Sequence, residues 1–94
     1  MERERDKKVK FFYTYVLRCS DGKLYVGSTS DLRRRIEEHD AGKCRSTAHK
    51  CPVSLVYYEA CRIEGSARAR EKQLKTGFGR SYLRRRLDVG MMGG

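Results

Sequence analysis

Five side chains of this 94-residue sequence have types and spacing suited to phosphoryl chemistry: Tyr15, Tyr25, Arg35, His39 and Glu71. An arginine suits a phosphate because its planar fork binds two oxygens at once. A lone carboxylate suits a hard divalent ion such as Mg²⁺, which keeps several waters and needs few protein ligands. Water activated by such an ion beside a tyrosine is a nucleophile for phosphodiester hydrolysis. With an ordinary pKa of ~10, the tyrosine serves as a base only when metal or cations lie close by. Cations do surround Glu71 in the sequence, at Arg68, Arg70, Lys72 and Lys75.

These side chains need elements that bring them together. Residues 11–17 (FFYTYVL) are aromatic and β-branched, which predicts a strand. Ser20-Asp21-Gly22-Lys23 is turn chemistry, and Leu24-Tyr25-Val26 reads as the returning strand of a hairpin. Tyr15 and Tyr25 then fall on neighbouring strands with the same parity, and the register decides whether they share a face. Ser28 to Asp31 offers N-caps for a first helix, with Leu32 and Ile36 as its apolar pair and Gly42 as its stop. Arg35 and His39 lie i,i+4 on that helix, each three after an apolar residue, so both edge its buried stripe. Residues 43–52 read as a loop, and 53–58 as a third strand able to run on to Cys61. A second helix, starting near Ser66 and ending by Gly77, carries Glu71 at the border of its apolar face. Leu83 and Leu87 suggest a short third helix over residues 80–87. The order β-β-α-β-α-α predicts an α+β domain around a small, mainly antiparallel sheet. It spans 11–88, between a flexible charged tail at 1–10 and a Gly/Met tail at 89–94.

The charge balance narrows the partner. Twenty-two Lys and Arg against 12 Asp and Glu give +10, which favours a polyanion. Residues 62–86 hold nine of the basic groups against Glu64 and Glu71, a surplus of seven. Such a density of arginine with few acids to pair it favours phosphate binding, with Arg68, Arg70, Lys72, Lys75, Arg80, Arg84 and Arg85 as the gripping residues. No run approaches the ~18 apolar residues of a membrane span, and residues 11–17 lack the cleavage site of a signal peptide. Four cysteines are too few for a disulfide scaffold, so the expectation is free thiols in a cytoplasmic protein.

Tyr13-Thr14-Tyr15 followed by Tyr25-Val26-Gly27 resembles the paired signature of the GIY-YIG nuclease superfamily. Leu32, Arg35 and His39 are similar to that family's first helix. The stretch Gly42-Lys43…Thr47…Pro52…Leu55-Val56-Tyr57, then residues 70–75 (REKQLK), is similar to its small single-domain bacterial members. The resemblance covers roughly residues 12–87. It implies a three-stranded antiparallel sheet flanked by helices, and a one-metal site using Mg²⁺ or Mn²⁺. Tyr15 and Tyr25 would match the signature tyrosines that orient or deprotonate the attacking water. Arg35 would match the arginine that steadies the phosphate, and His39 the helix position that supports a tyrosine or the phosphate. Glu71 would match the sole carboxylate metal ligand, and Gly27 the glycine that permits close backbone approach. The pattern departs from the family at Tyr13 and Thr14, where Gly and Ile are common, and at Ser28, where some relatives carry lysine. The chain also contains no asparagine, so the late asparagine of larger relatives is missing.

Plainer readings stand beside this one. Taken singly, each tyrosine reads as a strand aromatic, Arg35 as a surface cation, and Glu71 as the i,i+4 partner of Lys75. Tyr57 and Tyr58 read as strand aromatics, with Tyr58 the more exposed, and Cys19 and Cys61 as small buried side chains. His39, Cys44, His49 and Cys51 together offer four nitrogen and sulfur ligands for Zn²⁺, though without a C-x₂-C pair. The joint occurrence of the five residues in one order favours a metal-dependent endonuclease acting on DNA rather than RNA. The alternatives are a nucleic-acid-binding module with lost catalysis and a basic adaptor for an acidic protein. A domain this small leaves room for a homodimer or partner protein to complete the substrate surface.

Overall fold

The computed structural model describes residues 9–92. Three strands form one antiparallel sheet in the order β2-β1-β3: β1 (Phe12–Arg18), β2 (Leu24–Thr29) and β3 (Ser54–Cys61). Three helices follow the expected order: α1 (Leu32–Asp40), α2 (Glu64–Leu74) and α3 (Gly77–Met92), with a 3₁₀ turn over Ala48–Lys50. The α+β class and the β-β-α-β-α-α order read from the sequence are those observed. Among the described residues, no helix is long and apolar enough to cross a membrane.

The central strand explains the two-sided core. Val16 and Leu17 are both fully buried, and alternation sends them to opposite faces of the sheet. Tyr15, Leu17, Cys19 and Val53 pack with Leu32 and Ile36 of α1 on one face. Val16, Val26, Leu74 and Leu83 pack beneath α2 and α3 on the other. A bulge between Val16 and Leu17 skips Val56 in the pairing with β3. Both Val56 and Tyr57 consequently reach the α2/α3 core, while Leu55 joins the α1 core.

Local chemistry sets the element ends. Gly22 takes a φ of +83° in the hairpin turn, where Lys23 N–H donates to Asp21 Oδ1. Asp31 caps α1 by accepting from Arg34 N–H at 3.1 Å. The later helices run longer than the sequence suggested. Helix α2 begins at Glu64 rather than near Ser66, whereas β3 runs on to Cys61 as the sequence allowed. Helix α3 begins at Gly77 and extends to Met92 rather than covering 80–87. Thr76 starts it, with Oγ1 accepting from Gly79 N–H at 3.2 Å. Gly79 discourages helix by propensity, but a Cβ there would collide with the backbone of Gln73 and Leu74. The α2–α3 crossing therefore outweighs propensity at this position. Residues 1–8 and 93–94, within the expected tails, lie outside the described residues.

Candidate active site

The register of β1 against β2 pairs Tyr15 with Gly27 and Leu17 with Tyr25. Tyr15 and Tyr25 therefore share the α1 face as diagonal neighbours, with ring centroids 6.4 Å apart. His39 packs against both rings, at 5.8 Å from Tyr15 and 5.1 Å from Tyr25. The sequence placed His39 at the edge of the helix stripe; in the fold it is 1% exposed, because the 43–52 loop closes over the end of α1. Its Nε2 lies 3.0 Å from the Tyr15 hydroxyl and its Nδ1 lies 2.7 Å from Thr47 Oγ1. Either tautomer satisfies both bonds. Burial, then the Arg35 charge, holds the His39 pKa below its ordinary value, so the ring is neutral at pH 7. Burial, helped by Tyr25, pushes the Tyr15 hydroxyl well above the usual tyrosine range, so it stays protonated.

Gly27 makes room for this arrangement. A Cβ built on it would sit 2.5 Å from the Tyr15 hydroxyl oxygen, so any side chain here displaces the buried ring. The next residue, Ser28, points to the opposite face. There its Oγ donates to Glu71 Oε1 at 2.7 Å, while Lys75 Nζ donates to Oε2 at 2.8 Å. Burial alone would raise the Glu71 carboxyl; the bonds from Lys75 and Ser28 outweigh it and hold the pKa low. Gly27 and Ser28 thus place the phenol and the carboxylate on the two sides of one edge strand. Thr14 anchors the helix that carries Glu71, its hydroxyl donating to the Ala67 carbonyl at 2.8 Å.

Arg35 is partly exposed on α1, and its Nη1 donates to Glu38 Oε1 at 3.3 Å. Burial would lower its pKa, but Tyr15, Cys44 and Glu38 outweigh that, and it remains a firm cation.

A divalent cation is tested by this donor set. Glu71 is ionised and half-buried. Among the described residues, no group of three or more His, Cys, Asp or Glu is placed to hold a metal. One carboxylate fits a hard ion completed by water and phosphate oxygens; it does not fit an all-protein cage. Zinc on His39, Cys44, His49 and Cys51 fails on His39, whose two nitrogens are already engaged.

The basic residues divide into two groups. Arg68 pairs with Glu64 and Lys75 with Glu71. Arg70 turns inward, where its guanidinium grips Glu59 at 2.8–3.0 Å and stacks 4.9 Å from the Tyr82 ring. Lys72, Arg80, Arg84 and Arg85 are exposed and form no ion pair among the described residues. Exposed Tyr58 matches its expected place. Tyr57 is more than a strand aromatic, since its hydroxyl donates to Glu59 and lies 3.0 Å from that of Tyr82.

Sequence reasoning missed Thr47 and this Tyr57–Glu59–Arg70–Tyr82 network. The i,i+2 spacing of Tyr57 and Glu59 on a strand was a usable signal. Thr47 stood only within the stretch that resembles the family's small members, and it meets His39 only where the loop closes over α1.

Comparison with known proteins agrees with the fold. Residues 11–86 match the GIY-YIG catalytic domain. A UPF0213 protein of Haloquadratum walsbyi is 39% identical over 67 residues, covering 70% of this chain and 75% of its own. One from Streptococcus pyogenes is 44% identical over 64 residues, covering 67% and 70%. The solution NMR structure of a UPF0213 protein from Bacillus halodurans superposes with a TM-score of 0.51 at 32% identity, covering 89% of this chain and 87% of that one.

Proposed function

The chain belongs to the GIY-YIG catalytic domain family, and on that premise we propose that it is a metal-dependent endonuclease hydrolysing phosphodiester bonds in DNA. The observation that carries this reading is the pair of bonds on either side of β2, Tyr15 to His39 and Ser28 to Glu71. Together they fix a phenol cluster and an ionised carboxylate around one edge of the sheet.

The residues divide the work. Arg35 is the cation beside the tyrosine cluster, suited to holding non-bridging oxygens of the scissile phosphate. Tyr25 is the half-buried tyrosine, open to an attacking water, and orients it. Tyr15 and His39 are each 1% exposed, so they act as positioning residues that fix the Tyr25 ring from behind. Glu71, kept ionised by Ser28 and Lys75, would hold Mg²⁺ or Mn²⁺. The bound ion supplies Lewis-acid stabilisation of charge building on the phosphate. Exposed Lys72, Arg80, Arg84 and Arg85 grip the flanking backbone with little base discrimination.

The test is a nicking assay on single-stranded, duplex and branched DNA, with Mg²⁺, Mn²⁺ or chelator. Wild type cleaves only with metal, and Glu71→Ala does not cleave. Equal cleavage by both proteins removes the proposed role of Glu71. Salt-sensitive binding without cleavage of any substrate converts the reading to a nucleic-acid-binding module.

A further inference from the structure

A groove of about 670 Å³ opens beside the site, between β2 and the α2–α3 pair. Its volume lies within the range of nucleotide-sized ligand sites, roughly 300–1,000 Å³. Leu24 and Val26 alternate onto the same face of β2 and form the floor with Leu83 of α3. Leu24 is 40% exposed, an apolar side chain left uncovered on an edge strand. The rim is cationic: Lys75 at the end of α2, then Arg80 and Arg84 one turn apart on α3. Among the described residues, no acidic side chain lines the groove. Lys75, which donates to Glu71 Oε2, also lines this groove, so the groove opens on the carboxylate side of the candidate active site.

Resting on the nuclease reading above, we propose that this groove receives the unpaired base of a nucleotide adjacent to the scissile phosphate, making the substrate single-stranded or frayed at the cut. An apolar floor inside a cationic rim matches a nucleotide, whose base is flat and weakly solvated and whose phosphates are anionic. In a duplex the phosphates can reach the rim, but the bases are stacked and paired and turn no face to the floor without an unstacking penalty. An acidic peptide would satisfy Lys75, Arg80 and Arg84 yet leave Leu24 and Val26 uncovered.

The chain contains no tryptophan, so Leu24→Trp introduces a single reporter on the floor. Binding is measured in chelator, where cleavage does not interfere, using oligothymidine and a blunt duplex of equal length. The expected result is tryptophan quenching at saturation with oligothymidine and none with the duplex. Leu24→Asp should weaken oligothymidine binding about tenfold and duplex binding by less than about twofold. An unquenched tryptophan at saturation overturns the proposal, as do equal losses on both DNA forms. Displacement of oligothymidine by a polyglutamate peptide at matching concentration also overturns it, in favour of a protein partner. The nuclease reading fails separately: quenching that persists with no cleavage in Mg²⁺ or Mn²⁺ keeps the groove and removes the activity. Cleavage without quenching does the reverse.

Discussion

The Ser28 hydroxyl donates to Glu71 Oε1 at 2.7 Å, tying the edge strand to the carboxylate forty-three residues later. This bond fixes where Glu71 stands and, with Lys75, keeps it ionised. The position that carries lysine in some relatives here supplies a neutral donor instead.

Ser28→Ala should raise the Glu71 pKa toward its ordinary 4.5. In the folded protein that pKa is depressed, so its stabilising contribution is present above the unfolded value and lost as pH falls through the folded one. Removing Ser28 moves that loss, and the acid limb of cleavage, to higher pH. Carboxyl NMR titration of wild type and variant checks the shift; an unchanged Glu71 midpoint refutes it.

Tyr15→Phe and Thr47→Val should each cost about 1–3 kcal/mol, since each leaves a buried nitrogen of His39 without its partner. Because both act through one imidazole, the double variant should depart from additivity by about 0.5 kcal/mol or more. Urea unfolding of the four proteins measures the coupling. Strict additivity would mean that the two bonds do not share His39.

The buried imidazole also predicts a pH dependence. The folded His39 pKa lies below the ordinary 6.5, so the unfolded chain takes up a proton first as pH falls. Stability should hold above 6.5 and decline from there toward the folded value. The urea midpoint of His39→Gln should lack this decline. The same slope in both proteins would assign it to other groups.

Gly27→Ala should destabilise by about 1–3 kcal/mol and abolish cleavage, because the new methyl displaces the Tyr15 ring. Gly65→Ala on α2 meets nothing within 4 Å and should stabilise by about 0.5–1 kcal/mol. Thermal melts of the pair separate close approach from general intolerance of glycine replacement.

Two arginines of the basic segment should behave differently. Arg84→Gln should weaken binding to all DNA alike and reduce the salt slope by about 0.9 on duplex and about 0.7 on single strands. Arg70→Gln should leave that slope unchanged and lower stability by about 1–2 kcal/mol, since it unpairs Glu59 under Tyr82. Water still reaches this pair, so the cost stays below that of a fully buried one. Matching slopes for the two variants would place Arg70 on the DNA as well.

By itself, the sequence determined the elements and their order, because period, turn residues and caps are local. FFYTYVL reads as a strand wherever it lies, and Asp31 caps α1 through Arg34, three residues on. The candidate set Tyr15, Tyr25, Arg35, His39 and Glu71 was legible as residue types in order. Tertiary structure alone decided their states. Register put Tyr15 over Gly27, a closed loop buried His39 against Thr47, and the α2–α3 crossing carried α3 back to Gly77 despite Gly79. Net charge counted Arg70 among the gripping cations, whereas packing against Glu59 and Tyr82 turned it inward. Burial and partner choice arise from contacts between residues far apart in the chain, which neither composition nor spacing encodes locally.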